Sequence, residues 1–401
     1  MPFDAYILDW LNLILRWGHL ITGIAWIGSS FYFIWLDARL NVPPRDPESP
    51  DVAGDLWAVH GGGFYHSQKY KVAPAELPEP LHWFKWEAYW TWITGFLLLA
   101  VVYYSNADAF LVDPAVADID ATTAIVSSVL LLPAGWFLYD GLCRLGLSGG
   151  RFALLGAALV LALCYGVSQL YGGRGAFMEI GAVLGTIMVA NVLRVIIPSQ
   201  KQLVAAKLQG VEPDARLGAR AKQRSVHNNY LTLPVVFVMI SPHFAFTYAH
   251  QYSWLVLFVI FVVGALIRHY FNRRNQGRHV VALPIAAAVI GAILVAALAP
   301  RGSGSASSAL AANRDVSFAE VHEIINARCV TCHSSAPTHP MSPVTAAGVA
   351  FDTPRQVKVW SQRIFDRVVV TKTMPFANLT EMTDEERAVV ERWYASGAHT
   401  N

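Results

Sequence analysis

Residues 280–312 read VVALPIAAAVIGAILVAALAPRGSGSASSALAA. The first twenty are nearly pure Ala, Val, Ile and Leu, and a membrane-spanning helix needs about 20 largely apolar residues. The run from Arg301 to Ala312 has the Gly/Ser composition of a flexible linker. One boundary therefore divides the chain: an expected transmembrane domain over residues 1–300, a linker over 301–313, and a polar, amphipathic unit over 314–401.

Working back from this stretch, seven more apolar runs cover roughly 8–36, 86–105, 119–140, 152–171, 176–197, 228–248 and 252–271, so the expectation is eight spans. Pro- and Asp-containing loops delimit the second to fourth. Composition agrees: of 401 residues 54% are hydrophobic and 14% charged, with mean hydropathy +0.39, against about 25% charged in a soluble domain. Thirteen Trp, fifteen Tyr and twenty Phe add the aromatic load of a bilayer interface. A purely soluble enzyme does not fit. A net charge of +2 without a basic stripe argues against nucleic acid as a partner. Four Cys are too few for a disulfide scaffold. The first run is no cleavable signal peptide, because Asp4 and Asp9 precede or open it and no small-residue cleavage site follows.

Orientation follows from Lys and Arg. The loops after the first, third, fifth and seventh runs hold sixteen of them, Arg144, Arg220 and Arg224 among these, whereas the other loops hold Arg174 alone. Positive loops mark the cytoplasmic side. Both termini are thus expected outside the cytoplasm, in the periplasm if the bilayer is a bacterial inner membrane.

In the tail, Cys329-Val330-Thr331-Cys332-His333 is C-x-x-C-H, the attachment signature of c-type haem. The thiols would add to the haem vinyl groups and His333 would ligate the iron. A redox dithiol or half a zinc site needs no adjacent His. Met374, 41 residues on in Thr373-Met374-Pro375, is the preferred second axial ligand. Met341 and Met382 compete, and His339 would give a bis-His haem. Ser317-x-x-Glu320 and Thr383-x-x-Glu386 each resemble a capping box opening a helix. The text from Cys329 to His333, Met374-Pro375, Asn378-Leu379-Thr380, Glu385, Trp393 and Gly397-Ala398 resembles small class I cytochromes c. That resemblance implies a helical haem wrap whose terminal helices cross.

Ionisable residues inside spans are functional candidates by default. Arg16 and His19 lie in RWGHLITGIAWIGSS; Glu179, Asn191, Arg194, His227, His243, Arg268 and His269 follow. The expected topology puts Arg16, His19, Glu179 and His243 in the outer half. His19 and His243 are candidates to clamp a haem b there; the alternative is local backbone hydrogen bonding, with Arg16 pairing Glu179. The inner loop after the first run carries His60-Gly61-Gly62-Gly63, His66, Gln68 and Lys69. Its glycines would let backbone N–H groups approach an anion, unless it is simply an interfacial turn with aromatic anchors.

The run from Arg16 to Phe33, the His60–Gly63 loop, Lys85-Trp86-Glu87-Ala88-Tyr89 and Glu179-Ile180-Gly181 together resemble the bacterial membrane-bound, cytochrome c-linked urate oxidase (urate hydroxylase) family. The resemblance implies an all-α fold: an eight-span bundle followed by a class I cytochrome c domain. It implies oxidation of urate to 5-hydroxyisourate, with electrons leaving through haem c to a soluble cytochrome or terminal oxidase and no hydrogen peroxide released. Urate is a planar anion needing a cation or donors, a flat slot and a base; Arg16, His19, His243, His60, His66 and Lys69 are the candidates. A quinol:cytochrome c oxidoreductase, or a membrane anchor or transporter with a relay cytochrome, are the competing readings.

Overall fold

The computed structural model describes residues 3–41, 51–114, 116–299, 316–340, 342 and 345–400. The linker expected at 301–313 and the competing Met341 lie outside them. Helix α1 (Phe3–Arg39) is followed by a hairpin, β1 (Val52–His60) and β2 (Gly63–Tyr70), and then by α2 (Trp86–Leu98). Next come α3 (Ala121–Arg144), α4 (Gly149–Ser168), α5 (Gly173–Asn191), α6 (Ile197–Leu208), α7 (Ala215–Ile240), α8 (Ser253–Asn275) and α9 (Ala282–Leu298). The tail contributes α10 (Phe318–Arg328), α11 (Pro354–Phe365) and α12 (Asp384–Ala395). Loop carboxylates start two of the bundle helices: Asp120 accepts the Thr123 N–H at 2.8 Å, and Asp214 the Arg216 N–H at 2.9 Å. Each satisfies a donor that the first helical turn leaves open.

Helix α5 is the axis of the bundle. Phe177, Ile180, Val183 and Leu184 are buried on it, and α2, α3, α4 and α7 pack round it. Two crossings depend on missing side chains. A Cβ at Gly181 would sit 2.4 Å from Val238 Cγ1 of α7, and one at Gly135 of α3 would sit 2.4 Å from Val183 Cγ1. A π-turn at Val192–Ile196 joins α5 to α6 in one helical run and carries Arg194. Such extra-residue turns cost regular hydrogen bonding and recur at functional sites.

One expectation needs correction. The fold is mainly helical but not wholly α, because the His60–Gly63 loop is the tip of an antiparallel hairpin in which His60 pairs Gly63. Gly61 and Gly62 take φ of 57° and 81°, the positive values that a two-residue turn between twisted strands demands. Among the described residues six helices are long and apolar enough to cross a membrane, within residues 6–275. The run expected at 228–248 falls on α7, whose first half is charged and whose apolar half ends at Ile240, where a turn at Ser241–His243 breaks it. Helix α9, the last apolar run, has 17 residues, the lower end of the about 17–25 that a spanning helix takes.

In the tail, α10 packs on α12 and a second hydrophobic cluster gathers Val321, Ile325, Val357, Val390 and Trp393. Thr383 and Glu386 form the reciprocal capping box at α12. Ser317 makes only its half, accepting the Glu320 N–H at 3.3 Å. A further box, Thr353 with Gln356, opens α11 and has the same sequence logic.

Candidate functional site

Cys329 caps the end of helix α10, and the chain turns back on itself there: the N–H groups of Cys332 and His333 both donate to Cys329 O, at 3.1 and 2.9 Å. That turn puts two thiols and an imidazole on one short arc, with both cysteines unbridged. His333 Nδ1 lies 3.0 Å from Val349 O. A carbonyl can only accept, so Nδ1 is the donor there and Nε2 is the ring nitrogen left for a metal, the arrangement a metal-ligating histidine uses. Burial pushes the Cys329 thiol up to about 12, with Cys332 adding to the effect.

Met374 is partly buried against the tail core, whereas Met382 is 4% exposed and fills that core. The Met374 loop is held by Arg387, whose Nη1 donates to Val368 O at 2.5 Å and to Met374 O at 2.8 Å. Burial lowers the Arg387 guanidinium from its ordinary value. Two residues beyond Met374, the Phe376 ring lies 4.9 Å from Phe110, at the far end of the helical run that α2 begins. The Arg174 guanidinium, at the start of α5, sits 4.7 Å from the Phe110 ring and 5.9 Å from that of Phe376. The Met374 loop thus rests on the end of the bundle where α5 begins.

One turn and a half into α5, Glu179 is fully buried. Its Oε2 accepts from Ser128 Oγ at 2.6 Å, Ser128 lies 2.7 Å from Tyr104 OH, and Ser127 lies 2.8 Å from Tyr171 OH. Glu179 Oε1 has no hydrogen-bond partner among the described residues. A carboxyl oxygen buried without a partner is costly, and such groups are retained where they bind or move something.

At the other end of α5 a second polar knot forms. Asp140 takes Arg144 Nε at 2.7 Å and Arg224 Nη2 at 2.6 Å. Asn191 donates to Tyr139 OH at 3.1 Å and to Asn228 Oδ1 at 2.9 Å. His227 Nδ1 lies 2.8 Å from Tyr139 OH. Beside this knot is a cavity of about 270 Å³, lined by Trp136, Asp140, Arg144, Arg194, Arg220 and Arg224. A third knot joins Arg268, over the Phe31 ring at 3.9 Å, to Asn229 and Asn272.

With this geometry in view, residues 5–299 match the family described as urate oxidase N-terminal. The chain belongs to that family. Membership makes it a relative of oxidoreductases that act on urate. Comparison with curated proteins and with solved structures returns no match.

The residues expected to serve a urate oxidase of this family lie in several places. His19 Nδ1 is 3.0 Å from Thr91 O and 3.1 Å from Thr94 Oγ1, so its imidazole is docked on α2. His243 is exposed in the turn after α7, and no contact among the described residues joins it to His19. Arg16 bonds Asn12 one turn back on α1, while Glu179 takes Ser128, so the expected Arg16–Glu179 pair is replaced on both sides. His60 is exposed at the hairpin tip; His66 stacks on Trp57 at 4.3 Å and pairs Asp55 at 2.8 Å. Lys69 pairs Asp37, which also takes Lys222 at 2.6 Å. The groups that do converge include Ser128, Tyr104, Asp140 and Arg224, which the sequence reading missed. The signal was available for Asp140, an acid four residues before Arg144 inside an apolar run.

Proposed function

We propose that this protein is a membrane-bound urate oxidase that passes electrons from urate to a covalent haem c in its own tail, and from there to the respiratory chain. The observation that carries the reading is the joint presence of a urate oxidase-family domain over residues 5–299 and a C-x-x-C-H arc whose histidine presents Nε2. The site residues fit the group. Unbridged Cys329 and Cys332 would bind haem c covalently, and His333 and Met374 would supply ligands to its iron. When bound, haem c supplies a one-electron carrier.

The balance is urate plus water giving 5-hydroxyisourate, two electrons and two protons. Each urate therefore needs two successive electron transfers. The protein's own groups manage protons and position. The buried Glu179 Oε1, open beside Ser128 and Tyr104, is the proposed acceptor for a released proton. Phe376 and Arg174 seat the Met374 loop on the bundle end where α5 begins, the end nearer Glu179. The electrons leave to a soluble cytochrome or terminal oxidase, and no hydrogen peroxide is produced. The distribution of Lys and Arg supports a bacterial inner-membrane protein with both termini and the 314–401 unit in the periplasm.

The test uses full-length protein in detergent, oxidised and held without oxygen. Adding urate should raise the reduced c-type absorbance, and a peroxidase-coupled dye in air should stay colourless. Intact mass should exceed the chain by one haem. A haem band that stays oxidised under excess urate refutes the reading; reduction by quinol alone points to a quinol oxidoreductase.

A further inference from the structure

The cavity at the far end of α5 is the feature the preceding account leaves unused. Four guanidiniums and one carboxylate line it, so three positive charges are uncompensated. Asp140 engages Arg144 and Arg224. Arg220 reaches only Ser199 Oγ, at 3.4 Å, and Arg194 forms no hydrogen bond or ion pair among the described residues. Two further donors, Trp136 Nε1 and Arg224 Nε, are buried in this wall without a partner. Native structures leave few such groups unmet, and a surplus of donors around a hollow marks the place of an acceptor.

Size and shape narrow the occupant. At about 270 Å³ the cavity lies just below the range of about 300–1,000 Å³ typical of drug-sized ligands. Guanidinium forks pair in-plane with two adjacent acceptors and stack on flat π-systems. The Trp136 indole adds a flat apolar wall. We propose that this cavity is a binding site for a planar, acceptor-rich organic anion of the oxopurine class, which on the function proposed above is urate itself, captured at the end of the bundle remote from the tail. A monoanion leaves the site still positive, so capture does not need a counter-cation. Arg194 and Arg220 are the groups free to close on it, since Arg144 and Arg224 are already committed to Asp140.

The experiment measures binding of labelled urate to oxidised, full-length protein in detergent by equilibrium dialysis, beside its thermal unfolding midpoint. Losing a charge-assisted hydrogen bond costs about tenfold or more in affinity. Arg194→Gln/Arg220→Gln should therefore weaken urate binding by about tenfold or more with an unchanged midpoint, and Trp136→Leu should weaken it several-fold. Should the double variant fail to fold, Arg194→Gln alone, at an exposed position, gives the same reading. Inorganic phosphate at matched ionic strength should not displace urate. Unchanged urate affinity in the arginine variants overturns the proposal, as does displacement by phosphate at equal concentration, which would mark a lipid-headgroup or general anion site. The two readings fail separately. Urate-driven haem reduction with unaltered binding in the variants sinks the cavity alone, and urate binding lost in the variants without any haem reduction in the wild type sinks the oxidase alone.

Discussion

Gly181 and Gly185 lie one turn apart on the buried helix α5, and the structure gives alanine opposite consequences at the two. Helix propensity favours alanine over glycine by about 1 kcal/mol at either position. At Gly185 nothing lies within 4 Å of the new Cβ, so the propensity gain should appear undiminished. At Gly181 the new carbon would lie 2.4 Å from Val238 Cγ1, 3.0 Å from its Cβ and 3.5 Å from Cγ2. Carbon atoms prefer about 3.5–4.0 Å, and the close Cβ means that rotating Val238 cannot clear the overlap. Helices α5 and α7 must move apart, and such overpacking costs about 1–3 kcal/mol, enough to outweigh the propensity term. Gly181→Ala should lower the thermal midpoint of the detergent-solubilised protein while Gly185→Ala raises it or leaves it unchanged. Val238→Ala removes the clashing Cγ1 while its Cβ stays, so Gly181→Ala/Val238→Ala should be less destabilised than the sum of the single changes, with a coupling of about 0.5–3 kcal/mol. If both glycine variants shift in the same direction, or Val238→Ala gives no rescue, the close α5–α7 crossing is refuted.

Three further outcomes follow from the geometry. Asp140 and Arg224 are 7% and 4% exposed at the side chain; Asp140→Leu alone should cost about 3–5 kcal/mol, and Asp140→Leu/Arg224→Leu clearly less than the two losses together, in chemical unfolding of the whole protein. Arg387→Met leaves the carbonyls of Val368 and Met374 without their charged donor, at about 1–3 kcal/mol each; the tail should unfold at lower temperature, and Arg387→Lys should recover part of the loss. The Lys372 ammonium, 2.8 Å away, holds the exposed Asp384 carboxyl below its ordinary value. Its stabilising share is therefore present above the unfolded carboxylate value of about 3.9 and fades as pH falls through the lower folded value, and Asp384→Asn or high salt should flatten that part of the stability–pH curve.

What the sequence disclosed tracks how local its determinants are. The Thr383–Glu386 box was legible because four consecutive residues carry it, and the apolar runs were legible because a helix apolar enough to cross a membrane shows in composition. The hairpin was missed although Gly61-Gly62 lies between two β-capable runs, because histidine and glycine invite a ligand reading before a turn reading. The end of the run at 228–248 was misplaced for a different reason. Pro242 and His243 were read through as part of an apolar run, whereas the helix stops at Ile240. The polar knots were hardest, since Ser128 joins Glu179 across 51 positions and Arg224 joins Asp140 across 84. No periodicity within one helix reports which buried polar group on another will meet it.

The spacing along α5 bears on where urate is oxidised. Arg174 touches the tail and Arg194 lines the cavity; twenty residues of helical run separate them, about 30 Å at 1.5 Å per residue. Capture at the cavity and electron exit at the tail are thus a membrane thickness apart, which either a relay or movement of the substrate must bridge. A haem b between His19 and His243 would be such a relay. Yet His19 is docked on α2 through Thr91 and Thr94, and His243 is exposed beyond the end of α7. Those placements leave the two imidazoles on separate elements, with no contact between them among the described residues. A pyridine haemochrome spectrum of the purified protein should then show c-type haem alone. One b-type haem per chain, lost in His19→Ala, would restore the relay and place the oxidation at the cavity instead.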